Sequence, residues 1–376
     1  MTQLSSLRLA GWKSIRDSEE IELRPLNVLI GANGAGKSNL VSFFKAITEM
    51  MAGRLQEHIG KTGGAESLLH FGSKVTQVIE VRFRFPADKG EYSYGFRWVP
   101  NPENALFSAG ETLEFAFETL GPKSWEVVET FHPILGKGKP ESALNQVMES
   151  EFPAAMVIRD LLRRCRVYHF HDTSLLGPMR RDCLIDANRF LYPDAANLPA
   201  MLYLYRERYL RAYRRIIAAV KAVAPFFENF VLEPLRLNPR NIALHWRAKG
   251  ADYDLGPHQM SDGTLRAIAL FTLLLQPEED LPALIVLDEP ELGLHPAALA
   301  VLADLLKSTA RHSQLLIATQ SAALVDQFEV EDVITVNLRD GCSTFERQDP
   351  KKLKDWLKEY TVSELWARNV IGGGPY

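Results

Sequence analysis

Residues 31–39 read GANGAGKSN, directly after the apolar run LNVLI at 26–30, and this junction decides the fold. The run has the length of a buried strand, and the spacing from Lys37 onward, KSNLVSFFKAITEMM, is that of an amphipathic helix. Gly31, Gly36, Lys37 and Ser38 satisfy G-x-x-x-x-G-K-[ST], with Ala32, Asn33, Gly34 and Ala35 between them. In a strand-loop-helix setting such a loop turns backbone N–H groups inward around a phosphate chain. Lys37 can then reach the β- and γ-phosphates and the Ser38 hydroxyl can ligate Mg²⁺. A glycine-rich turn that binds nothing is the competing reading, and Lys-Ser at the helix start weighs against it.

Downstream, the apolar run at 283–287 ends in Asp288 and Glu289. A strand without polar alternation belongs in a parallel sheet covered on both faces, and carboxylates at its carboxyl end project into the ligand crevice. Asp288 is placed there to hold Mg²⁺, and Glu289 to activate a water as general base. An acidic loop after a buried strand is the plain alternative. Between these two anchors, Ser261, Asp262, Gly263 and Thr264 open an apolar helix. Read alone, this is an N-cap of ordinary kind.

The joint order of the three segments resembles the heads of ABC-type ATPases, in particular the SMC and RecF/OLD-like branch with its single-head AAA-21 proteins. GANGAGKSN is similar to the SMC-type Walker A, including Asn39, and LIVLDEPELGLHP to the Walker B with its D-loop. SDGT falls where these proteins carry the signature loop. The resemblance implies an α/β P-loop fold: a mixed core sheet flanked by helices, with an antiparallel β-subdomain and a helical lobe inserted between Walker A and the signature. It further implies that Ser261, Gly263 and Thr264 complete the nucleotide site of a second copy, so that two chains dimerise around two ATP-Mg²⁺. Asp262 departs from the pattern, because a carboxylate repels phosphate; it is expected to cap the helix or face away. Gln320, in ATQS, stands where the family often has histidine, and an amide can donate a hydrogen bond but cannot carry a proton. His295 falls in the D-loop, where a turn with Pro296 opening a helix is the competing reading. The Q-loop is expected in residues 167–174, VYHFHDTS, which read as a strand ending in polar residues, with Gln77 as the weaker candidate.

The alternating segments between residues 78 and 131 read as antiparallel strands, and residues 143–220 as mainly helical. Residues 159–250 hold 17 Lys/Arg against 8 Asp/Glu, whereas the net charge of the chain is −4. On one helix there, Tyr205, Tyr209, Tyr213, Ile216 and Val220 share a face, and Arg208, Arg211 and Arg215 another. That stripe reads equally as a face for DNA, RNA or an acidic partner and as a solvated helix surface. The expected organisation is residues 1–135 as the first half of the head, 136–255 as a basic helical lobe, and 256–376 as the second half.

Three isolated cysteines, Cys165, Cys183 and Cys342, argue against a zinc site or a disulfide framework. No apolar run suits a membrane span and no signal peptide is legible, so a cytoplasmic location is expected. The separation of 224 residues from Lys37 to Ser261 leaves no room for a long coiled-coil arm beside the β-subdomain. The resulting expectation is an ATPase controlling a separately encoded effector, by resemblance a Toprim-type nuclease in antiphage defence or DNA repair. A transporter-type ATPase subunit and a nucleotide-gated scaffold are the alternatives.

Overall fold

The computed structural model describes residues 3–87, 90–118, 125–135, 138–146 and 153–374. The chain opens with β1 (Ser6–Trp12), β2 (Ile15–Glu22) and β3 (Leu26–Ile30), then α1 (Lys37–Met51) and α2 (Leu55–Lys61). Four strands follow, β4 (Ile79–Ala87), β5 (Gly90–Pro100), β6 (Leu106–Glu118) and β7 (Trp125–Leu135). Next come α3 (Pro153–Arg163), β8 (Cys165–Tyr168), β9 (Cys183–Leu184), α4 (Leu198–Arg208) and α5 (Leu210–Val223). Short strands β10 (Phe227–Val231), β11 (Pro234–Leu235), β12 (Asn238–Ile242) and β13 (His245–Ala248) lead to α6 (Asp262–Leu274). The remainder is β14 (Leu284–Asp288), α7 (Pro296–Thr309), β15 (Gln314–Ala318), α8 (Ala322–Val325), β16 (Val333–Arg339), β17 (Cys342–Arg347) and α9 (Val362–Ala367).

The central sheet has the order β17-β16-β3-β15-β14-β8. Its strands run parallel except β17, which pairs antiparallel with β16. Pleat alternation divides its residues between two cores. Val28, Ile30, Ile285, Leu287, Leu315 and Ile317 face the helical lobe of α4 to α7. Leu29, Leu284, Val286, Leu316 and Ala318 face α1 and the second sheet. Burial on both faces is why these strands read as continuous apolar runs.

That second sheet, β2-β1-β4-β5-β6-β7, is antiparallel throughout. The N-terminal hairpin β1–β2 joins it beside the strands expected between residues 78 and 131. Its inner face rests on α1 through Trp12, Phe43 and Phe83, with Trp12 edge-on to Phe43 at 5.7 Å. The Trp12 indole N–H donates to the Asn39 carbonyl at 3.0 Å, fixing the sheet over the first turn of α1.

Two expectations are corrected. The stretch 143–220 is not helical throughout: β8 interrupts it and pairs parallel with β14 as the edge of the central sheet. Cys165, Val167 and Tyr168 are buried there, where residues 167–174 read as a strand ending in polar residues, and the sequence did not show that this strand pairs with β14. The segment expected as a separate lobe therefore contributes to the core sheet, and the boundary placed at 136 lies outside the described residues. The tyrosine-arginine helix is two helices, turning at Tyr209 (φ −127, ψ 55) so that α5 lies against α6 and α7. The expected faces survive the turn. Tyr205, Tyr213, Ile216 and Val220 are buried, Tyr209 is half-buried, and Arg208, Arg211 and Arg215 are exposed.

At the other end, Trp366 is half-buried and its indole N–H donates to the Gly373 carbonyl at 2.9 Å, while Trp356 stays exposed. Among the described residues no helix is long and apolar enough to cross a membrane.

Candidate nucleotide site

The loop of residues 31–36 leaves the fully buried β3 and enters α1 without a side-chain cap. Gly36 has φ 115, and a Cβ there would lie 2.0 Å from the Ser343 hydroxyl. Glycine is therefore required on two counts. Ser343 Oγ donates to the Ala35 carbonyl at 2.7 Å and lies 2.6 Å from Ser14 Oγ, to which the Asn39 amide donates at 2.6 Å. Asn39, expected to bind nucleotide, thus braces the loop from behind through its side chain. Asn33, Gly34 and Ser38 are exposed at the loop surface, while Ala35 and Gly36 are buried against β17.

The Lys37 side chain is buried and folds back over the loop, donating to the carbonyls of Gly31 at 2.6 Å and Ala32 at 3.1 Å. Burial holds its amine below the usual lysine range, opposed by the charges of Glu289, Asp288 and Glu291. The lysine and the carboxylates at the end of β14 therefore share one electrostatic neighbourhood. β3 and β14 reach it from either side of β15.

Asp288 ends β14 with its side chain 13% exposed. Burial, then the adjoining Glu289, pushes its carboxyl up to about 6. Two histidines from the segment after β8 close over it. His171 Nε2 donates to the Asp288 main-chain carbonyl at 2.9 Å, and His169 Nδ1 stands 3.8 Å from Asp288 Oδ2. Burial pulls the His169 imidazole down to about 4, so at neutral pH this approach joins a neutral ring to the carboxyl rather than an ion pair. Residues 167–174 are thus the ones brought to Asp288, while Gln77 is an exposed residue ahead of β4.

Glu289 has φ 46, a left-handed conformation that costs a non-glycine residue about 1 kcal/mol or more. Its N–H donates to Ala318 O at 2.8 Å, and its carboxylate accepts from the Gln320 amide, so these two expected site residues are in direct contact. Glu291, not singled out by the sequence reading, accepts from Thr319 Oγ1 at 2.6 Å and from the Gln320 N–H at 3.0 Å. Its other oxygen is buried without a partner.

The donor chemistry fits Mg²⁺. Ser38, Asp288 and the neighbouring glutamates offer oxygen only, and a buried orphan carboxylate oxygen beside a carboxyl raised by burial is an arrangement a hard cation relieves. Among the described residues no three His, Cys, Asp or Glu form a cation cage.

Residues 261–264, expected as the signature loop, are built as a cap. Ser261 Oγ accepts from the Thr264 N–H at 3.2 Å and lies 2.8 Å from Thr264 Oγ1. Asp262 faces Arg180, which donates to its Oδ1 at 2.5 Å. Arg180 is buried and also donates to the carbonyls of Thr173, Pro257 and Met260. Arg266, one turn into α6, donates to the carbonyls of Phe170, His171 and Leu292. These two arginines tie residues 261–266 to the His169–His171 stretch and to the loop after β14. A single basic residue amid a basic region gives no sequence signal for such a role. A Cβ on Gly263 would meet Gly293 O at 2.3 Å, so this glycine serves close approach within its own chain. His295 caps α7, its Nδ1 accepting from the Ala297 N–H at 3.2 Å, with Pro296 in the first turn.

Comparison with known proteins agrees with this architecture. A solved SMC head bound to the C-terminal winged-helix domain of ScpA has a TM-score of 0.59 and 18% identity, covering 94% of this chain and 99% of that one. The Pyrococcus furiosus Smc head with an extended coiled coil, bound to the ScpA C-terminal domain, gives 0.57 and 18% over 96% and 99%. A Pyrococcus yayanosii Smc head with coiled coil and joint gives 0.52 and 15% over 96% and 99%. Among curated proteins none matches the sequence. Residues 26–326 match the AAA_21 family, "AAA domain, putative AbiEii toxin, Type IV TA system". The chain therefore belongs to AAA_21, and its fold is that of the SMC head domains.

Proposed function

We propose that this chain binds ATP with Mg²⁺ and hydrolyses it, working as a head that pairs with a second copy. The observation that carries the reading is the Glu289–Gln320 contact at the carboxyl ends of β14 and β15, beside Asp288 and within electrostatic reach of Lys37. Ser38 and Asp288 would hold Mg²⁺, which when bound neutralises charge on the β- and γ-phosphates. Lys37 exchanges the Gly31 and Ala32 carbonyls for phosphate oxygens, and Gln320 orients Glu289. Glu289 accepts a proton from the attacking water. Ser261 and Thr264, with the N-terminus of α6, are offered to the nucleotide of the second copy, since their segment is held on its own chain by Arg180 and Arg266 rather than by the phosphate loop.

We further assign the pair of heads to the control of a separate effector. A Toprim-type nuclease acting in antiphage defence or DNA repair is the reading supported by resemblance to the RecF/OLD branch, with α5 as the nucleic-acid face. The test is Glu289→Gln. It retains ATP binding, releases phosphate at least ~10²-fold more slowly and accumulates ATP-dependent dimer in light scattering. An unaltered chain that binds ATP but releases no phosphate is a nucleotide-gated scaffold. An unchanged mass on adding ATP to Glu289→Gln removes the dimer mechanism.

A further inference from the structure

Glu291 stands two residues beyond Glu289, in the loop joining β14 to α7, and both its oxygens are out of the ordinary. Oε1 accepts from two donors of the opposite loop, Thr319 Oγ1 at 2.6 Å and the Gln320 N–H at 3.0 Å. Oε2 is sealed from solvent and has no partner. Thr319, itself fully buried, also accepts from the Ser321 N–H at 3.0 Å, so the turn after β15 is organised around this one carboxylate. The same turn carries Gln320, whose amide donates to Glu289. Glu289 is held in a left-handed conformation by its own bond to Ala318 O.

These contacts form a series: Glu291 fixes the main chain of residue 320, and the side chain of residue 320 fixes Glu289. We propose that Glu291 is a positioning residue for the hydrolysis, setting the Gln320 amide that aims Glu289 at the attacking water. The proposal rests on the hydrolytic reading above. A structural tie alone needs no carboxylate here. One neutral acceptor satisfies both donors, whereas an ionised group with one buried, unpartnered oxygen carries a desolvation cost. What the charge provides is a stronger, stiffer pair of bonds on the turn. Stiffness matters at Gln320, because Glu289 must be held against a strained backbone.

The experiment compares Glu291→Ala, Glu291→Gln and Gln320→Ala with the unaltered chain in steady-state phosphate release and in binding of a fluorescent ATP analogue. Glu291→Ala is expected to lower kcat by on the order of 10–100-fold, as small misplacements of catalytic groups do, with analogue affinity within about twofold. Glu291→Gln keeps the Oε1 acceptor but loses the charge that stiffens its two bonds, and so recovers only part of the rate. Because the residues act in series, adding Gln320→Ala to Glu291→Ala lowers the rate little further. Full turnover in Glu291→Ala overturns the proposal. So does a loss that multiplies with Gln320→Ala, or one that follows analogue affinity instead of kcat. If the unaltered chain releases no phosphate, the hydrolytic reading falls and takes this proposal with it. If it does, the variants judge Glu291 alone.

Discussion

Replacing Asp288 by asparagine should make the ligand-free protein more stable at neutral pH while removing its response to Mg²⁺-ATP. Burial and the charge of Glu289 raise this carboxyl from 3.8 to about 6. An acid raised on folding keeps its proton in the folded chain over a range where the unfolded chain has lost it. Stability therefore falls as pH rises from about 4 to 6, and stays lowered above that. Two pKa units correspond to about 3 kcal/mol at 1.36 kcal/mol each. The part of the side chain open to water and the new amide's own need for partners reduce this to about 1–2 kcal/mol, or roughly 1–3 °C in Tm for a chain of this length. The assay is thermal unfolding of both proteins at pH 5 and 8. The asparagine protein should melt higher at pH 8, the gap should be about half as large at pH 5, and Mg²⁺-ATP should reverse the order by stabilising only the unaltered chain. Equal gaps at the two pH values, or an asparagine protein that melts lower at pH 8 without ligand, refute the reasoning that burial strains this carboxylate.

Arg180→Ala leaves the carbonyls of Thr173, Pro257 and Met260 without their donor, and should cost about 2–3 kcal/mol in denaturant unfolding. Faster hydrogen exchange at residues 260–264 should accompany it, and an unchanged midpoint excludes Arg180 as the anchor of this segment. At the end of α4 and along α5, Arg208, Arg211 and Arg215 are exposed beside Arg214 and Lys221. Changing the first three to glutamate should abolish binding to duplex DNA or RNA, and single changes should reduce the slope of log K against log salt by about one per lost phosphate contact. Unchanged affinity identifies the stripe as a solvated surface.

The local parts of this protein were legible because each rests on a short-range rule. The Walker A loop, the strand before it and the helix after it need only glycine freedom and two periodicities. The strand expected at 283–287 is observed at Leu284–Asp288. The tyrosine and arginine faces also survived, since burial of one stripe is independent of where the helix turns. What escaped the sequence was pairing across long separations. β8 joins β14 from more than a hundred residues away, in only four residues. Arg180, Arg266 and Glu291 carry no periodic signal, because their meaning lies in the carbonyls and hydroxyls they meet.

Asp262 shows the division most clearly. Its charge by itself dictated that it turn from a phosphate, but only the tertiary structure supplied its destination, the buried guanidinium of Arg180. Gly263 was expected, by resemblance, to complete the nucleotide site of a second copy, and only the folded chain shows its own Gly293 carbonyl packed against it. The sequence determined the chemistry each segment carries, since that depends on residue type and spacing along a few bonds. The tertiary structure decided which groups complete one another, because hydrogen bonds and buried charges are satisfied by neighbours in space.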